Sequence, residues 1–511
     1  MPRPGARTEI AILAGVSLVP LALLLVASTR PPYGFFIDEL YFLACSRRLA
    51  LGYVDQPPLS IALLAASRWL LGDSVLAVRV LPALATAGTT FAAGLVAREL
   101  GGTLRAMVLA ALATAGMPVL LVFGSFFSMN ALEPLLWTLV LLLVVRLVAR
   151  EEPWLWLPAG ILVGLGLESK HTLVLHAGAL LVGMLATPVR RHLRSRWFAL
   201  GCLAAALLVL PNALWQVAHG FPSLELYRNS MGTKNIDRTA WEVVRDQVLY
   251  AGPLALPLWG AGVAWLARGE GGRWRFLALT WLLLLLAMVA ARSSRPDRIA
   301  AVYPMLFAAG GVALDRIRRP ALRTGIGAAQ AVLLVAGAAA AAPIFTPVLP
   351  PAAVRSYLEA LGLRIELEQG KQGEPVPQWL ADRLGWPELA VRVAEAVRSL
   401  PEDERREAVL VTENYGIAGA LELYGPGLGL PRVFATHNSF HDWGPPPGST
   451  RTYVAVGVNP RGLEGKFDSV SEVAVATCAD CTRPQRRVPI VVARGPRFSV
   501  AREWPGWKTY Q

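Results

Sequence analysis

The first two thirds of the chain alternate between long apolar runs and short gaps that carry arginine. Crossing the hydrocarbon of a bilayer takes about 20 residues per helix, and the runs approach that length. They predict eleven crossings, at 10–28, 77–97, 106–122, 131–148, 154–167, 172–187, 198–217, 247–266, 276–291, 299–314 and 325–342. A further stretch, 59–71, has one apolar face and predicts a helix lying on the outer surface. Arg3 and Arg7 precede the first run and put the N-terminus in the cytoplasm; that run has no small-residue cleavage motif and reads as an uncleaved helix. With this start, the arginine gaps at 98–105, 146–150, 190–196, 268–275 and 316–319 all face the cytoplasm. Lys170, Lys234, Lys371, Lys466 and Lys508 fall on the opposite side.

Two of the runs, 154–167 and 172–187, are too short to span alone, so their shared turn Glu168-Ser169-Lys170-His171 is expected below the outer surface. Irregular backbone at that depth needs a protein or aqueous environment, which predicts a dent in the outer face. From Pro343 the pattern becomes polar, charged and rich in glycine and proline. Strand-like runs at 408–412, 452–458, 470–477 and 489–493, with helices at 390–400 and 417–424, predict a small α/β unit. The fold class is thus a polytopic α-helical membrane protein with a small C-terminal α/β extracytoplasmic domain. The expected boundaries are 1–345 for the transmembrane part, whose first outer loop is 30–76, and 346–511 for the external domain. Val411-Thr-Glu-Asn-Tyr-Gly416 is similar to a nucleotide-binding turn but lacks its glycine spacing.

Composition changes the picture in two places. A net charge of +13 over 511 residues suggests a nucleic-acid partner, but 54% of the residues are hydrophobic and the arginines cluster in short gaps between apolar runs, so the charge belongs to membrane topology. No nucleic-acid partner is expected. The four cysteines are too few for a disulfide scaffold, and Cys478-Ala-Asp-Cys481 has no second pair or spaced histidines to complete a zinc site. An oxidising compartment predicts instead that Cys478 and Cys481 form a local disulfide.

The outer face collects chemistry. Asp38, Glu39, Asp55, Glu133, Glu168, Lys170 and His171 converge there with the Arg292-Ser-Ser-Arg295-Pro-Asp-Arg298 turn. Carboxylates and cations around an outward, lipid-accessible cavity suit the movement of a group from a lipid phosphate to an acceptor. The cations hold the phosphate and a carboxylate takes the proton of the attacking hydroxyl. Each residue also has a plainer reading. Glu168 and Lys170 pair locally over a turn, Arg295 and Arg298 meet lipid headgroups, His171 is an interfacial histidine, and Asp55 before Gln-Pro-Pro forms a turn. Asp55 and Glu168 stand as acceptor or metal candidates. Asp38, Glu133 and Asp55 are a conceivable set for a divalent cation, whose identity the sequence leaves unknown.

The Asp38-Glu39 pair, the downstream Pro57-Pro58-Leu59, Ser128-Met-Asn-Ala-Leu-Glu-Pro-Leu135 and Gly166-Leu-Glu-Ser-Lys170 resemble glycosyltransferases of the GT-C superfamily. The nearest branch is similar to family 39, with its protein O-mannosyltransferases and lipid A aminoarabinose transferases, over residues 10–345. The resemblance implies a polyprenyl- or dolichyl-phosphate sugar donor, an active site on the non-cytoplasmic face and inversion at the sugar carbon. It implies that Asp38 is the catalytic base with Glu39 its neighbour, that Glu133 is the second acid, and that Lys170 attends the donor phosphate, with His171 beside it. The stretch from Arg295 through Arg298 to Tyr303 ends in Val-Tyr-Pro like the family's late loop, but has Pro-Asp-Arg where a basic residue followed by aromatics is common; Arg295 and Arg298 are its donor-phosphate candidates. Membrane lipids and a glycan, lipid or protein acceptor are the implied partners. The tail lacks a β-trefoil pattern, which disfavours protein mannosylation.

The expected activity is therefore membrane glycosyl transfer from a polyprenyl-phosphate donor, in the plasma membrane with the C-terminal domain outside. The rivals are a transporter or lipid flippase and a sensor. A transporter usually shows repeated halves and mid-membrane charges; the chain shows no internal repeat. Eleven helices exceed what a sensor needs as an anchor.

Overall fold

The computed structural model describes all residues except 1–4, 234, 269–272, 366–373 and 375. Arg3, Lys234 and Lys371 lie outside the described residues. The helices are α1 (Ala6–Ala27), α2 (Ile37–Ser46), α3 (Pro58–Leu71), α4 (Val75–Glu99), α5 (Leu104–Ala115), α6 (Pro118–Gly124), α7 (Met129–Arg150), α8 (Trp156–Ser169), α9 (Leu173–Leu185) and α10 (Arg196–Ala218). They continue with α11 (Pro222–Thr233), α12 (Ala240–Ala251), α13 (Leu256–Arg268), α14 (Arg275–Ala290), α15 (Tyr303–Asp315) and α16 (Pro320–Phe345).

The expected runs are largely helical, but the count of eleven crossings is not reached among the described residues, and 106–122 is two helices, α5 and α6, that meet at 62°. Among the described residues, six helices are each long and apolar enough to cross a membrane, and up to nine spans result if each sharply bent pair counts as one. The run 247–266 is not a single helix: α12 and α13 meet at 90°. Gly252, at φ +100°, and Pro253, which has no N–H to give, interrupt the backbone ladder there. As expected from their lengths, α8 and α9 are short, and Glu168, Ser169 and Lys170 between them are buried. α8 and α10 touch backbone to backbone, since a Cβ on Gly160 would stand 2.1 Å from the Gly201 carbonyl oxygen. Small residues permit such approaches between apolar helices, where dispersion rather than water expulsion is the driving force. α3 exposes Trp69, Leu70 and Leu71.

The C-terminal part adds α17 (Pro351–Leu361), α18 (Gln378–Ala381), α19 (Trp386–Arg398), α20 (Glu402–Glu407) and α21 (Tyr415–Tyr424) around a sheet of β1 (Val409–Thr412), β2 (Val433–Ala435), β3 (Thr452–Val456), β4 (Phe467–Thr477) and β5 (Arg487–Pro496). The sheet order is β2-β1-β3-β5-β4, parallel across β2-β1-β3 and antiparallel across β3-β5-β4. Alternation along the strands separates two faces. Leu410, Val454, Val456, Ile490 and Val492 join the core shared with the helices, whereas Val409, Phe434, Tyr453 and Ala493 form a second cluster with Val500 and Trp504. Strand β2, of three residues, was not among the expected strands. The predicted disulfide Cys478–Cys481 is formed, with the two Cα atoms 5.5 Å apart.

The two parts are joined through α2. Glycines of α21 lie on it so closely that a Cβ on Gly416 would stand 2.2 Å from Ile37, and one on Gly419 would stand 2.7 Å from the Leu40 backbone. At the end of the same helix Arg48 makes two bonds to the Glu422 carboxylate, at 2.9 and 2.6 Å.

Candidate active site

Helix α2 turns its two acidic residues in different directions, because neighbouring helical residues point about 100° apart. Glu39 faces inward and is completely buried. Its Oε1 accepts from Arg79 Nε at 3.0 Å and the Phe127 amide at 2.8 Å. Its Oε2 accepts from Arg79 Nη2 at 2.8 Å and the Phe36 amide at 2.7 Å, the latter capping α2. Arg79 in turn donates to the Gly34 carbonyl at 2.6 Å. Beside it Arg383, also fully buried, donates to the Ser125 carbonyl at 3.0 Å and hydroxyl at 2.6 Å, and its own carbonyl accepts from Gly34 at 2.9 Å. A saturated carboxylate in such a knot has no lone pair left for an acceptor hydroxyl. Glu39, expected beside the catalytic base, is thus placed among fixed donors and does not line the cavity that Asp38 faces.

Asp38 faces a cavity of about 410 Å³ between the helical part and the C-terminal part. Its Oδ1 accepts from the Tyr415 hydroxyl at 2.8 Å. Asp55 opens on the same cavity and accepts from the Tyr41 hydroxyl at 2.8 Å, and the Ser439 hydroxyl lies at the same distance from the Tyr41 oxygen, which is left to accept from it. Burial, and then the Asp55 charge, push the Tyr41 phenol well above its usual range, so it stays a donor. Asp55 is thus more than a turn former. Arg295 and Asp297 line the same cavity, paired through Nε at 3.0 Å and Nη2 at 3.2 Å in a two-point geometry. Arg298 is set back from the lining and donates to Ser293 Oγ at 3.3 Å, the oxygen that also accepts the Arg295 amide. Tyr227 of α11 lines the cavity, and burial, aided by the Asp55 and Glu133 charges, pushes its phenol up to about 12.

The other expected residues do not line this cavity. Lys170 and Glu133 are both buried and form an ion pair at 2.7 Å, with Thr172 Oγ1 on the second Glu133 oxygen at 3.3 Å. The local Glu168–Lys170 pair is not made; Glu168 ends α8 buried, with Oε1 lacking a partner among the described residues. His171 Nε2 meets Asn212 Oδ1 at 3.0 Å, and Asn212 reaches the Leu51 carbonyl at 2.8 Å, so this histidine ties α9 and α10 to the first loop. The cation set Asp38, Glu133 and Asp55 is not assembled, because Glu133 is taken by Lys170. Among the described residues no group of three or more histidine, cysteine or carboxylate side chains could hold a metal ion.

Sequence reasoning missed the roof. Asn414 and Tyr415 line the cavity with His437, Asn438 and the last residue, Gln511. The Asn438 side chain and the Gln511 backbone exchange hydrogen bonds at 3.2 and 3.1 Å, so the end of the chain is sewn over the site. Only the Val411–Gly416 stretch was marked in advance, and for a different chemistry. Asn414 Oδ1 caps α21 by accepting from Gly416 and Ile417 at 2.8 and 3.1 Å, which occupies the amides a phosphate would need.

Residues 55–215 match the family model for dolichyl-phosphate-mannose-protein mannosyltransferases. No curated protein matches the chain by sequence. ArnT from Cupriavidus metallidurans in the apo state superimposes with a TM-score of 0.61 at 17% identity, covering 96% of this chain and 98% of that one. The same ArnT bound to undecaprenyl phosphate gives 0.60 at 16%, covering 95% and 98%. An oligosaccharyltransferase from Archaeoglobus fulgidus gives 0.54 at 15%, covering 88% of this chain and 68% of its own. Over nearly its whole length, therefore, the chain has the GT-C fold, that of the polytopic membrane glycosyltransferases.

Proposed function

We propose that the protein is a membrane glycosyltransferase that moves a sugar from a polyprenyl-phosphate donor to an acceptor hydroxyl, with inversion, on the side where residues 346–511 lie. The observation that carries this reading is that two carboxylates, Asp38 and Asp55, and the guanidinium of Arg295 line one cavity. The fold's occurrence in an ArnT bound to undecaprenyl phosphate supports the donor class.

Asp38 is the base. Its carboxylate takes the proton of the acceptor hydroxyl as that oxygen attacks the anomeric carbon. The bond from that carbon to the phosphate oxygen breaks, its electron pair leaves on the phosphate, and Arg295 stabilises the charge that develops there. Asp297 orients the guanidinium, and Tyr415 orients Asp38. Glu39 and Arg79 hold α2, while Lys170 and Glu133 hold α7, whose first residues Met129 and Asn130 line the cavity. Lys170 and His171 act behind the cavity lining rather than on the phosphate.

The test is transfer from a synthetic polyprenyl-phosphate sugar in nanodiscs, read as release of polyprenyl phosphate. Release by the native protein and its loss in Asp38→Asn are expected; release that persists in the variant removes Asp38 as the base. Sidedness has its own check. Cysteines placed singly at Lys466 and Arg194 should react with an impermeant thiol reagent on intact cells at the first position only, and labelling at Arg194 would overturn the proposed orientation.

A further inference from the structure

A second cavity, of about 460 Å³, lies on the face of the C-terminal sheet turned away from α21. Its size falls within the ordinary range of small-molecule sites. Its place also fits one. The order β2-β1-β3 reverses direction at β1, and ligands of open parallel sheets sit at such a switch point, beyond the carboxyl ends of the strands. Glu413 and Thr436, which directly follow β1 and β2, and Asn459 in the loop after β3 are on the lining.

The lining divides into an aromatic floor and a polar rim. Phe434, Tyr453, Phe467 and Trp504 are buried, and Phe498 and Trp507 are half-buried, with their rings 5.6 Å apart and edge to face. The rim carries Glu413, Asn459, Lys466 and Lys508, all exposed. Among the described residues, the Glu413 and Lys466 side chains have no hydrogen-bond or ion-pair partner. Gly462 and Gly506 also line the cavity, at φ values open to any residue, and a Cβ on either would meet nothing within 4 Å. The space is therefore left free by residue choice rather than by any demand of the backbone. Aromatic faces that take flat apolar C–H surfaces, ringed by donors and acceptors of both signs, match the two-sided chemistry of a sugar ring.

The cavity also adjoins the active site. The strands of one strap face both: Thr436 and Thr509 line the aromatic cavity, while the neighbouring His437, Asn438 and Gln511 line the catalytic one. Thr509 donates its amide to Thr436, and Lys508 on the rim pairs with Glu225 of α11 at 2.8 Å.

We propose that the aromatic cavity is a saccharide subsite that holds an acceptor glycan outside the reacting hydroxyl. The role as an acceptor subsite rests on the glycosyltransferase reading above; the binding itself does not. A nucleotide is the less suitable occupant, because Asn414 already fills the helix terminus that would meet a phosphate.

The full-length protein in detergent would be applied to an array of immobilised neutral, amino and acidic hexose and pentose oligosaccharides. Retention on one or more glycans is expected. Trp507→Ala, which removes part of the aromatic floor, should lower apparent affinity about tenfold or more, a change of about 1.4 kcal/mol. Gly462→Trp should do the same by filling the open mouth, and it is the safer variant because it deletes no packed side chain. Asp38→Asn should retain the native glycan while losing transfer, which keeps a failure of the subsite distinct from a failure of the transferase. Retention of no glycan, binding indifferent to both cavity variants, or quenching of tryptophan fluorescence by ATP in place of any glycan would each overturn the proposal.

Discussion

The knot around Glu39 and the cavity wall around Asp38 are made of the same residue types, begin one residue apart, and do opposite things. In the knot, every Glu39 oxygen is satisfied twice and its arginine partner is 1% exposed. At the cavity, Asp38 and Asp55 are half-buried and each is oriented by a tyrosine hydroxyl. A carboxylate that has spent its lone pairs on fixed donors is rigid and chemically inert. One that borders a cavity is open to meet an acceptor hydroxyl there. The lesson is that desolvated charge in this fold marks structure where it is saturated and chemistry where it borders space. Because the Glu39 knot holds the helix that carries the proposed base, the two regions are connected, and mutations separate them.

The largest effect is expected at Asp38. Asp38→Asn preserves shape and removes the proton acceptor, so turnover should fall about 10²–10⁴-fold, the usual contribution of a general base. Thermal unfolding should stay near native, since the isosteric amide keeps the shape of the side chain and can still accept from the Tyr415 hydroxyl. Single-turnover transfer together with a melting curve checks both halves. A variant that melts early and is inactive for that reason would merge the two regions that are here kept apart.

Breaking the knot should show the reverse pattern. Arg79→Met leaves Glu39 as an uncompensated buried charge and should cost about 3–5 kcal/mol of stability. Activity should fall with the loss of folded protein, while the surviving fraction turns over. The double change Arg79→Met with Glu39→Gln removes the stranded charge and should recover much of the loss. Failure of the double variant to recover would mean that the pair carries more than position. Unfolding followed by tryptophan fluorescence in a fixed detergent is the measurement.

Lys170 and Glu133 give a smaller and sharper test, because a role on the donor phosphate was expected of this lysine from the sequence. Lys170→Met should destabilise by about 3 kcal/mol, at the lower end for a broken buried pair because Thr172 still serves Glu133. Lys170→Met with Glu133→Leu should restore stability and leave the KM for the donor near native. A raised donor KM in that restored double variant would return Lys170 to the phosphate and move this pair into the chemistry.

These contrasts show which parts of the molecule were legible in the sequence. The helical runs and the convergence of Asp38, Asp55 and Arg295 on one face were readable, because apolar length and intramembrane charge are costly and leave a pattern. The difference between Asp38 and Glu39 was not readable. It depends on the rotation of one short helix and on Arg79, whose charge in an apolar run is visible but does not say which carboxylate it pairs with. Strand β2 is too short for an alternation to show. The roof was hidden for another reason: Tyr415 and Asn438 reach the site across several hundred residues of chain, and only the closed fold brings Gln511 beside them. The broken helix at Gly252-Pro253 was marked by its residues, and there the apolar run masked the break.

The smallest effect is expected at the outer edge of the knot. Cys478 and Cys481 form their disulfide directly against Gly385, where a Cβ would stand 3.0–3.1 Å from both sulfurs. Gly385 adopts φ +78°, which suits glycine on conformational grounds as well. Nearby, Thr482 donates to Asp382 at 2.8 Å, so the turn between β4 and β5 is clipped to the segment that delivers Arg383 to Ser125. A loop of this length restricts the unfolded chain little, so replacing both cysteines with serine should cost less than about 2 kcal/mol, below the typical range for disulfides. Turnover should be unchanged, because the Arg383 and Glu39 bonds do not pass through the sulfurs. Mild reduction of the native protein should give the same small shift in melting temperature as the double serine variant. If turnover instead fell with reduction while the melting curve barely moved, the clip would be transmitting to Asp38 through Arg383, and the knot would have to be counted as part of the site.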